Sequence, residues 1–144
     1  MILHAGLLSA YGSGGWRGAL IEGPSGAGKS DLALRALTLG FKLVSDDRTL
    51  VWPCEGRLFG ACPPAIRGLT EARGLGLLAV CARPQSEIHL LVVCHRAGEP
   101  MERMPEPERR RVLGVELPVL RLNALEASAP VKLQWALSRL GAWL

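Results

Sequence analysis

Gly23-Pro24-Ser25-Gly26-Ala27-Gly28-Lys29-Ser30 is the stretch whose reading decides the fold. It meets the phosphate-loop template G-x-x-x-x-G-K-[ST] at every fixed position. Glycines at such spacing let consecutive backbone N–H groups turn inward into a concave anion nest, because no Cβ blocks the required dihedrals. Lys29 then reaches the β- and γ-phosphates of a triphosphate, and the Ser30 hydroxyl is positioned as a Mg²⁺ ligand. Both flanks agree with the template. Ala19-Leu20-Ile21 is a short apolar run entering the loop, and Asp31 to Leu39 leaves it as a run of helix formers with Gly40 as the stop. The N-terminus of that helix points its positive end at the phosphates. All eight loop residues are candidates for holding a nucleotide.

The rest of the composition narrows the classes. A chain of 144 residues with 49% hydrophobic and 21% charged residues reads as one globular domain. Its net charge of +4 suits a protein that handles phosphates. An aromatic content of 5% leaves little for stacking on bases, so nucleic acid is not an expected partner. Cys54, Cys62, Cys81 and Cys94 form no C-x-x-C pair, which argues for buried free thiols rather than zinc or disulfides. The N-terminus lacks a signal-peptide pattern, and the longest apolar run, Leu90 to Cys94, is too short to span a bilayer. A cytoplasmic, soluble protein is expected.

Away from the loop, residues 2–9 read as a strand that carries His4, and Trp16 to Ile21 as the strand feeding the loop. Phe41 to Asp47 is an apolar run ending in two carboxylates, the pattern of a strand that delivers Asp46 and Asp47 to the ligand-binding edge of an α/β sheet. Thr49 to Trp52 and Arg57 to Phe59 read as a hairpin, antiparallel after a βαβ start, and so predict a mixed sheet. Ile66 to Leu78 holds two Arg-Gly pairs and Glu71 beside an apolar run. Glu87 to His95 is nearly all apolar and predicts a central strand. Arg96 to Arg111, broken by prolines, reads as an exposed loop, and Val112 to Leu122 as an edge strand because of Pro118. Ser128 as N-cap and Pro130 in the first turn open a last helix, with Val131, Leu133, Leu137, Leu140 and Leu144 as its stripe.

Taken together, Gly-x-Ser-Gly-x-Gly-Lys-Ser, then Leu-Val-x-Asp-Asp, then Glu-x-Arg-Gly-Leu-Gly-Leu-Leu resembles the catalytic domain of HPr kinase/phosphorylase over nearly the whole chain. It is similar to the short form without an N-terminal domain, a form associated with alphaproteobacteria. The resemblance implies a single catalytic domain over residues 1–144. It implies an α/β fold like that of phosphoenolpyruvate carboxykinase, with a phosphate loop in a mixed sheet flanked by helices. It further implies ATP and Mg²⁺ as cofactors and a serine of an HPr-type phosphocarrier as acceptor, with reverse phosphorolysis of phosphoserine as a second activity. Homo-oligomers are implied as well. In roles carried over from the family, Lys29 neutralises phosphate charge and Ser30 with Glu71 holds Mg²⁺. The Asp46-Asp47 pair supplies the carboxylate that takes the serine proton. His4 and Arg103 stand where the family has a catalytic histidine and arginine. Asn123 to Pro130 departs from the family segment important for dephosphorylation, which weighs against the reverse activity more than against the kinase.

Two other readings stay open on the residues alone. One is a small-molecule phosphate-loop kinase, for which no lid motif is found. The other is a nucleotide-binding regulatory module without catalysis.

Overall fold

The computed structural model describes residues 1–140. Eleven strands and two helices follow one another: β1 (Ile2–Leu3), β2 (Gly6–Gly12), β3 (Gly15–Glu22), α1 (Lys29–Leu37), β4 (Lys42–Ser45), β5 (Thr49–Cys54), β6 (Arg57–Ala61), β7 (Leu69–Ala72), β8 (Gly76–Ala79), β9 (Gln85–Cys94), β10 (Glu108–Val112), β11 (Val115–Leu122) and α2 (Ala129–Ser138). Nine strands form one mixed sheet, and β7 with β8 makes a separate hairpin.

The predicted βαβ start is realised with a strand inserted. β2 pairs antiparallel with both β3 and β4, so the strands before and after α1 run the same way with β2 between them. On its other side β3 pairs in parallel with β9, and β9 in parallel with β11. Four strands therefore end at one edge, and residues 23–28, 46–48, 95–107 and 123–128 leave from it.

Alternation along these strands builds two cores. Leu8, Ala19, Ile21, Leu43, Leu90 and Val92 face α1 and α2, whereas Leu7, Leu20, Val44, Leu91 and Val119 pack on the opposite face. A slip of register between Ile88 and Leu90, opposite Gly18, puts Ile88 on that second face. A Cβ at Gly18 would run into the Glu87 carbonyl, so glycine permits the bulge.

Several expectations are corrected. The first strand breaks at His4 and Ala5, because β1 leaves β2's path to pair with β5. Arg109, Arg110 and Arg111 are not loop but strand. The chain reverses at Leu113 (φ 49°) and Gly114 (φ 83°), a two-residue hairpin that brings β10 onto β11. β11 is not an edge strand. Pro118 lies opposite Arg109 of β10, one residue before the ladder with β9 begins at Val119. Ser128 stands at the N-cap, but its side chain makes no capping bond. The buried stripe of α2 is Pro130, Leu133, Ala136 and Leu137, while Val131 is exposed. Leu144 lies outside the described residues. Cys62 and Cys94 are buried free thiols as expected, but Cys54 and Cys81 are exposed. Among the described residues, no helix is long and apolar enough to cross a membrane.

Candidate active site

Three features set the phosphate loop. Its entry residue, Gly23, backs onto the end of β9: a Cβ there would stand 2.7 Å from the Cys94 carbonyl oxygen. Gly26 takes φ +81°, with nothing within 4 Å of where a Cβ would lie, so the inner wall of the turn is bare backbone. Gly28, at φ +91°, is the residue before α1, and a Cβ there would meet Leu125 at 2.7 Å. Beneath the turn, Ala27 is buried in the helix-side core and donates its amide to the Pro24 carbonyl at 3.2 Å. Ser25 and Gly26 form the exposed crest.

Lys29 opens α1 and folds back over this loop. Its ammonium donates to the carbonyls of Gly23 at 2.5 Å and Pro24 at 3.1 Å. The cation is thus held inside the curve of the loop by groups that carry no net charge. Burial pushes the neighbouring Cys94 thiol up to about 11, with Lys29 pulling it down and Glu22 pushing it up. Cys94 is therefore packing for the loop, not a nucleophile.

A small cleft brings Lys29 and Ser30 together with Asp46 and Asp47, walled by Gly6 and Ala33. The two aspartates sit differently. Asp46 Oδ2 accepts from the Thr70 hydroxyl and from the Glu71 amide, both at 3.1 Å, and so ties the end of β4 to β7. Asp47 is exposed and adopts φ 66°, a left-handed conformation that aspartate tolerates better than most residues. The Ser45 hydroxyl closes the turn by donating to the Arg48 carbonyl.

The remaining expected residues are less tightly gathered. Glu71 reaches Asp46 through its backbone, and its carboxylate is exposed. His4 is exposed at the bend after β1. Leu3 before it pairs with Thr49, and the ladder ends there. Arg103 lies in the exposed segment after β9, and no contact draws it to the aspartates. Among the described residues, no group of three or more His, Cys, Asp and Glu is placed to hold a metal. The oxygen-bearing side chains that line the cleft with Lys29 are Ser30, Asp46 and Asp47.

Other contributors escaped the sequence reading. Glu22, the last residue of β3, is bonded by Arg110 at 2.5 Å, which anchors the loop's entry to β10. Arg121 holds Glu108 with two bonds of 2.8 and 2.9 Å in the same ribbon. Arg35 of α1 donates to the carbonyls of Ala124 and Glu126 and so presses 123–126 onto Gly28. The Leu113-Gly114 turn between alternating residues was the signal that could have placed Arg110 in a strand. Nothing local marks Arg35.

A glycine nest on the parallel edge of a mixed sheet, with a lysine inside it and two aspartates opposite, defines a phosphate-loop α/β domain. The comparisons name the family. The model for the HPr Serine kinase C-terminal domain matches residues 1–130, and the chain belongs to that family. It is similar to HPr kinase/phosphorylase of Clostridium tetani, 42% identical over 78 residues, which are 54% of this chain and 24% of the relative. It is also similar to the enzyme of the same name from Mycoplasmopsis pulmonis, 37% identical over 97 residues, 62% of this chain and 30% of the relative. The matched region thus spans less than a third of those curated relatives. In three dimensions the chain resembles the HPr(Ser) kinase/phosphatase from Coxiella burnetii, with a TM-score of 0.80 and 24% identity. That match covers 99% of this chain and 96% of the other, and the mixed sheet with its two helices is the shared fold.

Proposed function

We propose that this chain, as a single catalytic unit, transfers the terminal phosphoryl group of ATP to a serine of an HPr-type phosphocarrier, and runs the reverse phosphorolysis more weakly. The observation that carries this reading is the shared cleft of Lys29, Ser30, Asp46 and Asp47. Phosphoryl transfer asks the protein for positioning and charge, and needs little covalent chemistry from it. The bare backbone at Gly26 admits phosphate oxygens against the loop amides, and Lys29 exchanges its two carbonyl partners for those oxygens. Bound Mg²⁺, held by Ser30 with a carboxylate of the cleft, supplies charge neutralisation between the phosphates.

From the unequal surroundings of the aspartates we infer different roles for them. Asp46 commits one carboxylate oxygen to the Thr70 hydroxyl and the Glu71 amide, which fixes it in place. Asp47, exposed and without such donors among the described residues, is the general base that takes the serine proton. Asp46 positions the turn and faces the metal. His4 and Arg103 act at the margin, His4 from the bend after β1 and Arg103 from the segment after β9. Glu71 steadies the site through its backbone amide on Asp46. We further infer a cytoplasmic enzyme that works in homo-oligomers.

Incubating the protein with ATP, Mg²⁺ and the HPr-type carrier of the same organism is expected to yield phosphoserine on the carrier, and Lys29→Ala to abolish it. Mass spectrometry that finds the carrier unmodified after long incubation with wild-type protein would overturn the reading.

A further inference from the structure

Some arginines of this fold are engaged by carboxylates, and others, Arg67 and Arg73 among them, are not. Arg35, Arg57, Arg109, Arg110 and Arg121 are each paired with a carboxylate. Arg67 and Arg73, which bracket β7, are exposed and make no side-chain hydrogen bond or ion pair among the described residues. They flank a hairpin with two unlike faces. Thr70 and Ala72 are buried, at 1% and 3% exposure, on the side turned to the rest of the domain. Glu71 pairs across the strands with Leu77, so these two share the outward face. Leu77 is 70% exposed there, and Leu75 in the connecting turn is 76% exposed. A hairpin of two short strands has little apolar surface to spare for water. Here it presents two leucines and two unneutralised cations together.

The position of this face matters as much as its composition. Asp46 is bonded to Thr70 and Glu71, so the hairpin is a direct structural neighbour of the candidate active site. A protein that brings its serine to the Asp46-Asp47 pair would therefore have this hairpin within reach. A polyphosphate would use the arginines and gain nothing from the leucines. A polypeptide uses both, the leucines as a small apolar centre and the arginines as its charged rim.

Building on the kinase reading, we propose that the outward face of β7–β8, with Leu75 and Leu77 between Arg67 and Arg73, docks the acceptor protein through a segment of apolar and acidic side chains beside its serine. The arginines steer the approach, and the leucines hold the register once the segment is seated. Because the four residues lie outside the nucleotide cleft, their loss separates acceptor binding from ATP binding.

The test is steady-state kinetics with the HPr-type carrier of the same organism as the varied substrate. Wild type is compared with two independent variants, Arg67→Glu/Arg73→Glu and Leu75→Ser/Leu77→Ser, and MgATP affinity is measured on each by calorimetry. The expected result is a carrier KM raised about tenfold or more in both, with kcat and the MgATP Kd within about twofold of wild type. Added salt should raise the wild-type KM and lower that of the charge-reversed arginine variant. An unchanged carrier KM in both variants overturns the proposal while leaving the kinase reading intact. So does an equal loss of MgATP affinity, which would assign the arginines to the nucleotide. Loss of self-association at unchanged KM would assign the face to a second copy of the chain and also overturns it. Wild-type protein that binds MgATP yet makes no phosphoserine sinks the kinase reading, and the docking face with it.

Discussion

Two hollows lie at opposite ends of β3, and they differ in every respect that bears on chemistry. At the end near Gly23 is the tight cleft of about 20 Å³ between loop, Lys29 and aspartates. At the other end, where β2 turns into β3, lies a cavity of about 490 Å³ walled by Tyr11, Arg17, Leu39 and Trp135. The larger is lined by side chains with ordinary surroundings, its arginine bonded to the Leu137 carbonyl at 2.7 Å. The smaller gathers an ammonium seated on carbonyls and a carboxylate with two donors. Room alone does not mark a site for phosphate. What marks it is an ammonium and two carboxylates gathered in one small cleft beside the glycine loop.

If that contrast holds, the largest effect belongs to the charge inside the loop. Lys29→Ala is expected to lower kcat for carrier phosphorylation by about 10²–10³, while the melting temperature stays close to wild type, because the lysine's partners are carbonyls that water can satisfy. A variant retaining a tenth of the activity would break the assignment of the cleft. The aspartates come next and sharpen the contrast within it. Asp47→Asn is expected to cost about 10²–10⁴ in turnover with stability inside about 0.5 kcal/mol, since asparagine also accepts φ 66°. Asp46→Asn is expected to lose about 1–2 kcal/mol of stability as well as activity, because a neutral amide accepts more weakly from Thr70 and Glu71. Paired thermal melts and rate measurements separate the two, and equal melts for both variants would erase the distinction.

How much of this was legible in the sequence follows the same divide. The loop, the helix after it and the acidic end of β4 were readable because each is fixed by its neighbours in the chain: glycines where φ is positive, helix formers after Lys29, an apolar run before Asp46. The central place of β9 was readable from its unbroken apolar run. The contacts that complete the site were not. Arg110 reaches Glu22 across 88 residues of chain, and Arg35 clasps carbonyls about as far away. Such pairings depend on strand order, and the order β3-β9-β11 has no local signature. The arginine run was misread for a related reason. Charges that alternate between two partners across a ribbon look, in one dimension, like a solvated tail.

A smaller effect tests how the loop is held from outside. Gly28→Ala forces a Cβ to within 2.7 Å of Leu125 at a φ of +91°, and about 1–3 kcal/mol of destabilisation is expected from the clash with the strain of the left-handed backbone added to it. Leu125→Ala, at a residue 51% exposed, should cost less than about 1 kcal/mol by itself. In the double variant the clash is gone and only the backbone strain remains, so denaturation curves should reveal a coupling of about 1 kcal/mol. Strict additivity would mean that segment 123–126 does not rest on the loop.

The least effect is expected at the far hollow, and it is the most direct attack on the contrast. β3 has eight residues, so its two ends stand about 25 Å apart at roughly 3.3 Å per residue. Trp135 is 63% exposed and Leu39 36%, so Trp135→Ala and Leu39→Ala remove little buried surface. Each should leave MgATP affinity within about twofold and stability within about 1 kcal/mol of wild type. Leu39 is the more searching of the two. It follows α1, whose first residue is Lys29 itself, so a strained or shifting helix would carry a change from the cavity to the loop. The helix is braced against such movement by Arg35, which bonds Asp31 at 2.9 Å on its own surface and the 123–126 segment beyond it. A tenfold change in MgATP affinity on Leu39→Ala would show that the brace fails and that the two ends of β3 are one coupled device. An unchanged affinity, with Arg35→Ala then making the loop sensitive to Leu39, would locate the insulation in that single guanidinium.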